Sequence, residues 1–208
     1  MPRIPENQLK NVQRLYYKDR VSMREIAEAL DVSLDAVVYF MRRHGLARRS
    51  FSEINADRFA RKAPSFKERT PPSSSLREMR AVVAMLYWGE GYKSDKSAGL
   101  DFANSDQAMV VAFLKALRGI YELDESRFRV LLYCYADQDS ERLIVHWSRV
   151  TGIARQQFTK PYVRRDFRPH GRKMPYGMVH IRYADKKLLM AVKKLIEYYV
   201  AKYGQVVP

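Results

Sequence analysis

The chain has 208 residues, 47% of them hydrophobic, which is enough to bury a core and excludes a disordered polypeptide. Thirty-eight Lys and Arg against 23 Asp and Glu leave a formal charge of +15, which points to a polyanionic partner, either nucleic acid or an anionic membrane. A single cysteine, Cys134, excludes an intramolecular disulfide, and with four scattered histidines it offers no zinc-ligand spacing. No run reaches the length of a membrane span, and the start, Met1 to Glu6, has no apolar signal region. A cytoplasmic protein without a membrane partner is expected.

Along the chain, three helices are expected first. Leu9, Val12, Leu15 and Tyr16 mark one. Ser22, with Glu25 three residues on, forms a capping box that opens a second, whose apolar face is Ile26, Ala27 and Leu30. Ser33 caps a third, striped by Val37, Phe40 and Met41 and ended by Gly45. Residues 62–75, rich in Pro, Ser and charge, read as a linker between an N-terminal unit (1–61) and a larger domain (76–208).

The larger domain mixes helices and strands. The pattern predicts a helix over 76–90, a strand over 98–103, and a helix from Ser105 carrying Val110, Phe113, Leu114, Leu117 and Tyr121. A strand over 127–135 alternates Arg127, Arg129, Tyr133 and Tyr135 with Phe128, Val130, Leu132 and Cys134. A helix over 140–150, strands over 157–165 and 177–183, and a final helix from Leu188 to Tyr199 complete an α+β fold.

Residues 22–46 resemble bacterial helix-turn-helix domains. Ala27 is small where two helices must approach closely, Asp31 sits at the tight turn, and Val32, Val37 and Phe40 fill the angle between the helices. The resemblance makes the third helix the recognition helix, presenting Ser33, Leu34, Asp35, Ala36, Tyr39 and Arg43 to base edges in the major groove. Arg42, Arg43, Arg48 and Arg49 suit phosphate contacts.

The helix from Val83 to Gly91 resembles a diverged LAGLIDADG motif, with Glu90-Gly91 where that family has an acid followed by glycine. Trp88 and Met85 depart from the pattern, standing where the motif has Asp and Gly. The family pairs two such helices; with one motif here, the resemblance implies a homodimer joined through Ala84, Met85, Trp88 and Gly89, and a roughly palindromic site. It further implies an antiparallel sheet gripping double-stranded DNA. In the family's nucleases the terminal acid holds a divalent metal, so Glu90 is the candidate ligand for Mg²⁺, with Arg182 and Lys186 as basic assistants.

A basic, aromatic strand surface supports DNA contact through Arg127, Arg129, Tyr133, Tyr135, Lys160, Tyr162, Arg164, Arg165, Arg168, Arg172, Lys173 and His180. Residues 155–173 carry seven Lys or Arg against one acid, Asp166. The favoured reading is a dimeric DNA-binding protein of transcription-regulator type that needs no cofactor to bind and has no evident small-molecule substrate. The alternative is an active endonuclease using Mg²⁺. A tyrosine-recombinase reading, prompted by His146 and Arg149, is disfavoured because His146 and Trp147 suit packing or capping. A membrane-surface reading is disfavoured because the cations lie on strands and loops and form no single amphipathic helix.

Overall fold

A computed structural model describes residues 4–70, 74–164 and 174–204. The chain forms two compact units, Met1–Ala63 and Pro64–Pro208.

In the first unit, α1 (Leu9–Gln13) runs on into a wider turn over Arg14–Lys18. It is followed by α2 (Met23–Ala29), α3 (Leu34–Arg43) and α4 (Phe51–Arg61). Val12, Tyr16, Ile26, Val37, Phe40 and Met41 make its core. The expected capping box is formed: Ser22 Oγ accepts from Glu25 N, and Ser22 N donates to Glu25 Oε2. Ser33 caps α3 by accepting from Ala36 N. Asp31 takes a left-handed backbone, φ 50°, which turns the chain between α2 and α3. The fourth helix has no counterpart among the expected elements. It buries no residue fully and Phe51 is 77% exposed, so it carries no core-facing stripe. Its start is written only in Ser50 and Glu53, which form a second capping box.

The second unit is α+β. Its elements are β1 (Phe66–Glu68), α5 (Ser74–Glu90), β2 (Leu100–Asn104), α6 (Gln107–Ile120), β3 (Tyr121–Leu123), β4 (Phe128–Tyr135), α7 (Ser140–Thr151), β5 (Tyr162–Arg164), β6 (Met178–Tyr183) and α8 (Lys186–Tyr203). The main sheet has the order β2-β6-β4-β5. Its alternation follows the sequence: Phe102, Phe128, Val130, Leu132, Val179 and Ile181 are buried, and their neighbours along each strand face outward. Phe102 stacks on Phe113 of α6 at 4.1 Å, and the Trp147 indole of α7, fully buried, donates to Tyr176 O (2.6 Å).

Three expectations are corrected. The sheet is not wholly antiparallel: β5 pairs parallel to β4, because the helix α7 between them carries the chain back to the end where β4 began. β5 is also three residues long where nine were expected, since residues 155–157 form a turn and Pro161 lacks an N–H for the ladder. The expected linker, for its part, belongs partly to the domain. Phe66–Glu68 pairs with β3, Phe66 packs edge-on against Tyr121 at 5.1 Å, and Ser65 is anchored to Asp185; residues 71–73 lie outside the described residues.

Asp185 is the buried N-cap of α8. Its carboxylate accepts from Ser65 N (2.8 Å), Ser65 Oγ (2.6 Å) and Lys187 N (2.8 Å). Burial opposes its charge, but the bonds from Ser65, Lys187 and Leu188 prevail and hold it below the usual carboxylate range. A lowered folded-state pKa gives stability that is present above about pH 4 and lost as pH falls through the folded value. Asp185→Ala should therefore cost about 1–3 kcal/mol near neutrality. Urea titrations at several pH values should show the gap to wild type narrowing in acid; a gap independent of pH would mean that the carboxylate charge is not what stabilises this corner.

Candidate nucleic-acid interface

On α3, Leu34, Asp35, Tyr39, Arg42 and Arg43 are exposed, Tyr39 by 56%, while Ser33 and Ala36 are half-buried beside them. Arg42 lies over the Tyr39 ring at 6.0 Å, which gives this helix an aromatic and a cationic tip together. Arg43 pairs with Glu6 at 2.9 Å, and Arg48 is exposed. Arg49 is a correction. Only 8% of it is exposed; its guanidinium donates to Asp57, Arg20 O and Val21 O and lies 4.4 Å over Tyr16, so it ties the unit together and offers nothing to phosphate.

In the second unit, the outward face of the main sheet gathers Asp101 and Ala103 from β2, Arg129, Leu131, Tyr133 and Tyr135 from β4, and Met178, His180 and Arg182 from β6. Tyr133 is opposite Tyr162 in the ladder and their rings are 4.9 Å apart; on its other side Tyr133 lies 4.9 Å from the His180 ring. Arg129 is opposite Arg182, and its Nη1 is spent on Ser126 O and Phe128 O. Arg127 precedes β4 and is tied to Asp124 and Ala184 O. Lys160, Tyr162 and Arg164 are exposed at the β5 edge. Arg165, Arg168, Arg172 and Lys173 lie outside the described residues.

A hollow of about 530 Å³ adjoins this face, lined among others by Glu90, Tyr92, Asp101, His180 and Arg182. Helix α5 delivers Glu90 to it, and Gly91 then turns the chain. A Cβ at Gly91 would stand 2.5 Å from the Tyr87 ring, so only glycine lets the chain leave the helix so close to that ring. The Tyr87 hydroxyl donates to Tyr92 O and accepts from Asp101 N, which locks the exit to β2; burial pushes its pKa up to about 12, against the lowering effect of the bond from Asp101 N.

Asp101 is the residue that sequence reasoning missed. Oδ1 meets His180 Nδ1 and Oδ2 accepts from Arg182 Nε, each at 2.9 Å. Burial works against its charge, and the bonds and charges of His180 and Arg182 outweigh it, holding the carboxyl below its ordinary range. The signal was faint in sequence, a lone acid alternating with Leu100 and Phe102, whose partners are 79 and 81 residues away.

Two further expectations fail. Lys186 does not line the hollow; its Nζ donates to Asp95 O (2.8 Å) at the start of α8. Ala84 is fully buried in the core of its own unit, with Val83 and Tyr87, and is not available to a second chain. Met85 and Trp88 are exposed by 42% and 46%, and with Val82 and Gly89 they leave an open apolar stripe on α5. His146 stacks on Tyr176 at 4.3 Å beside the buried Trp147, a packing arrangement.

Among the described residues no three His, Cys, Asp or Glu side chains come together as a metal site, and no helix is long and apolar enough to cross a membrane. The chain matches no family model, no curated protein and no solved structure.

Proposed function

We propose that the protein binds double-stranded DNA sequence-specifically as a homodimer, in the manner of a transcription regulator built on a homing-endonuclease-like domain. One observation carries the reading: the outward sheet face sets Arg129, Arg182, His180, Tyr133 and Tyr162 side by side on adjoining strands. Cations interleaved with aromatic rings on an open sheet suit a duplex backbone and its base edges. The N-terminal unit, read as a helix-turn-helix, supports it with the exposed Tyr39, Arg42 and Arg48. The α5 stripe of Val82, Met85 and Trp88 is the surface offered to the second copy.

Regulator-type binding is favoured over cleavage by the carboxylates of the hollow. Both oxygens of Asp101 are engaged by His180 and Arg182, which leaves Glu90 alone to meet a metal. A Mg²⁺ ion here would rest on Glu90 with substrate phosphates and ordered water, and the hollow adds no second free carboxylate from the same chain. No catalytic step is assigned to Glu90.

The test is a binding titration on selected duplexes between about 50 and 200 mM salt. Six to ten phosphate contacts predict a loss of about 10³–10⁵ in affinity over that range. A flat salt profile would sink the reading. Cutting of the bound duplex in Mg²⁺ or Mn²⁺, abolished by Glu90→Gln, would replace the regulator with the nuclease.

A further inference from the structure

We infer that Arg182 reads a guanine and that Asp101 positions it to do so. The inference rests on the DNA-binding reading above and names what one part of that surface recognises.

Asp101 and Arg182 face each other directly across the β2–β6 ladder. The carboxylate takes the guanidinium by Nε, at 2.9 Å, and so fixes the plane of the fork. Nη1 and Nη2 have no partner among the described residues, and the side chain is 44% exposed. Two coplanar donors aimed off a sheet match the O6 and N7 acceptors of guanine in the major groove, the commonest specific contact an arginine makes. Arg129, across β6, does not share this arrangement, because its Nη1 is turned back onto Ser126 O and Phe128 O.

A phosphate is the other partner an arginine fork would take. The surroundings disfavour it. Asp101 lies against the guanidinium and neutralises it, and Glu90 lines the same hollow, so an approaching phosphate meets two carboxylates. Guanine presents two neutral acceptors and loses little from that charge. The second Asp101 oxygen holds His180 by Nδ1, which points the opposite ring nitrogen away from Asp101; Tyr133 lies against the ring and keeps it from swinging. Asp101 therefore orders two side chains of the reading face and touches no base itself.

The experiment is selection of bound duplexes from a randomised pool by the full-length chain, followed by affinity measurements on single-base variants. Wild type should prefer G·C at one position in each half-site by about 10–100-fold. Arg182→Gln should move that preference to A·T, since glutamine pairs bidentately with adenine, a change that no general loss of fold produces. Asp101→Asn should relax the preference toward unity while leaving the salt slope of binding unchanged, with melting curves confirming that the variant is folded. If Arg182→Gln keeps the wild-type preferences and instead weakens all duplexes equally, with the salt slope falling by about one contact, Arg182 is a phosphate ligand and the inference is overturned. A wild-type chain that binds no duplex overturns both this inference and the reading beneath it. A chain that binds with preferences indifferent to Arg182 overturns this inference alone.

Discussion

Arg49→Ala should remove about half or more of the stability of the N-terminal unit while leaving the larger unit unaffected. The guanidinium is the buried hub between the turn before α2 and the middle of α4: it donates to Arg20 O (2.9 Å), Val21 O (2.7 Å) and Asp57 Oδ2 (2.7 Å). The same residue's backbone N–H donates to the Tyr16 hydroxyl, and the Tyr16 ring lies beneath the guanidinium. Truncation leaves the Val21 carbonyl and the Asp57 carboxylate without the Arg49 donors and leaves Arg20 O to Arg61 alone, and breaking such a buried pair costs about 3–5 kcal/mol. A unit of this size is stable by about 3–9 kcal/mol in all. Arg49→Lys keeps the charge and loses the fork, so it should fall between. Hydrogen exchange on the full-length chain reads the two units separately. If Arg49 were instead a phosphate ligand, Arg49→Ala would weaken DNA binding and leave exchange in α1 to α4 as it was.

Arg49 also shows what the sequence can and cannot display. It stands in a run with Arg42, Arg43 and Arg48, and composition alone makes all four equivalent. What separates them is the pairing of Arg49 with Asp57 on α4, a helix whose exposed sides give no apolar period to detect. Where local chemistry is strong, the reading and the structure agree: the Ser22 and Ser33 caps, the left-handed Asp31, and the alternation of β4 all follow from neighbouring residues. Where an arrangement depends on partners far along the chain, it was not legible. The parallel partner of β4 depends on a helical crossover, and the Asp101 cluster depends on which strand lies beside β2. Ala84 is a similar case. The resemblance of α5 to the LAGLIDADG helix implied a face for another chain, but a helix in a layered domain has its own neighbours to pack against, and Ala84 is taken by them.

That correction narrows the proposed dimer surface and makes it testable. With Ala84 inside, the available stripe is Val82, Met85 and Trp88, whose side chains stand on the solvent side of α5, with Gly89 exposed beside them. The indole of Trp88 is the largest apolar group on it, and a central aromatic anchor of this kind carries much of an interface's energy. Trp88→Glu should leave the monomer folded, because the side chain is 46% exposed and the core beneath it is built from Val83, Ala84 and Tyr87. In the dimer it would set two carboxylates against each other across a twofold axis. Sedimentation should then show a dimer for wild type and a monomer for the variant. Affinity for a palindromic duplex should drop about 10²–10⁴-fold as two-site binding becomes one-site, while affinity for an isolated half-site should change little. Equal losses on both duplexes would mean that Trp88 meets DNA. An unchanged mass would place the dimer contact elsewhere, and the face of α5 would then need a different partner.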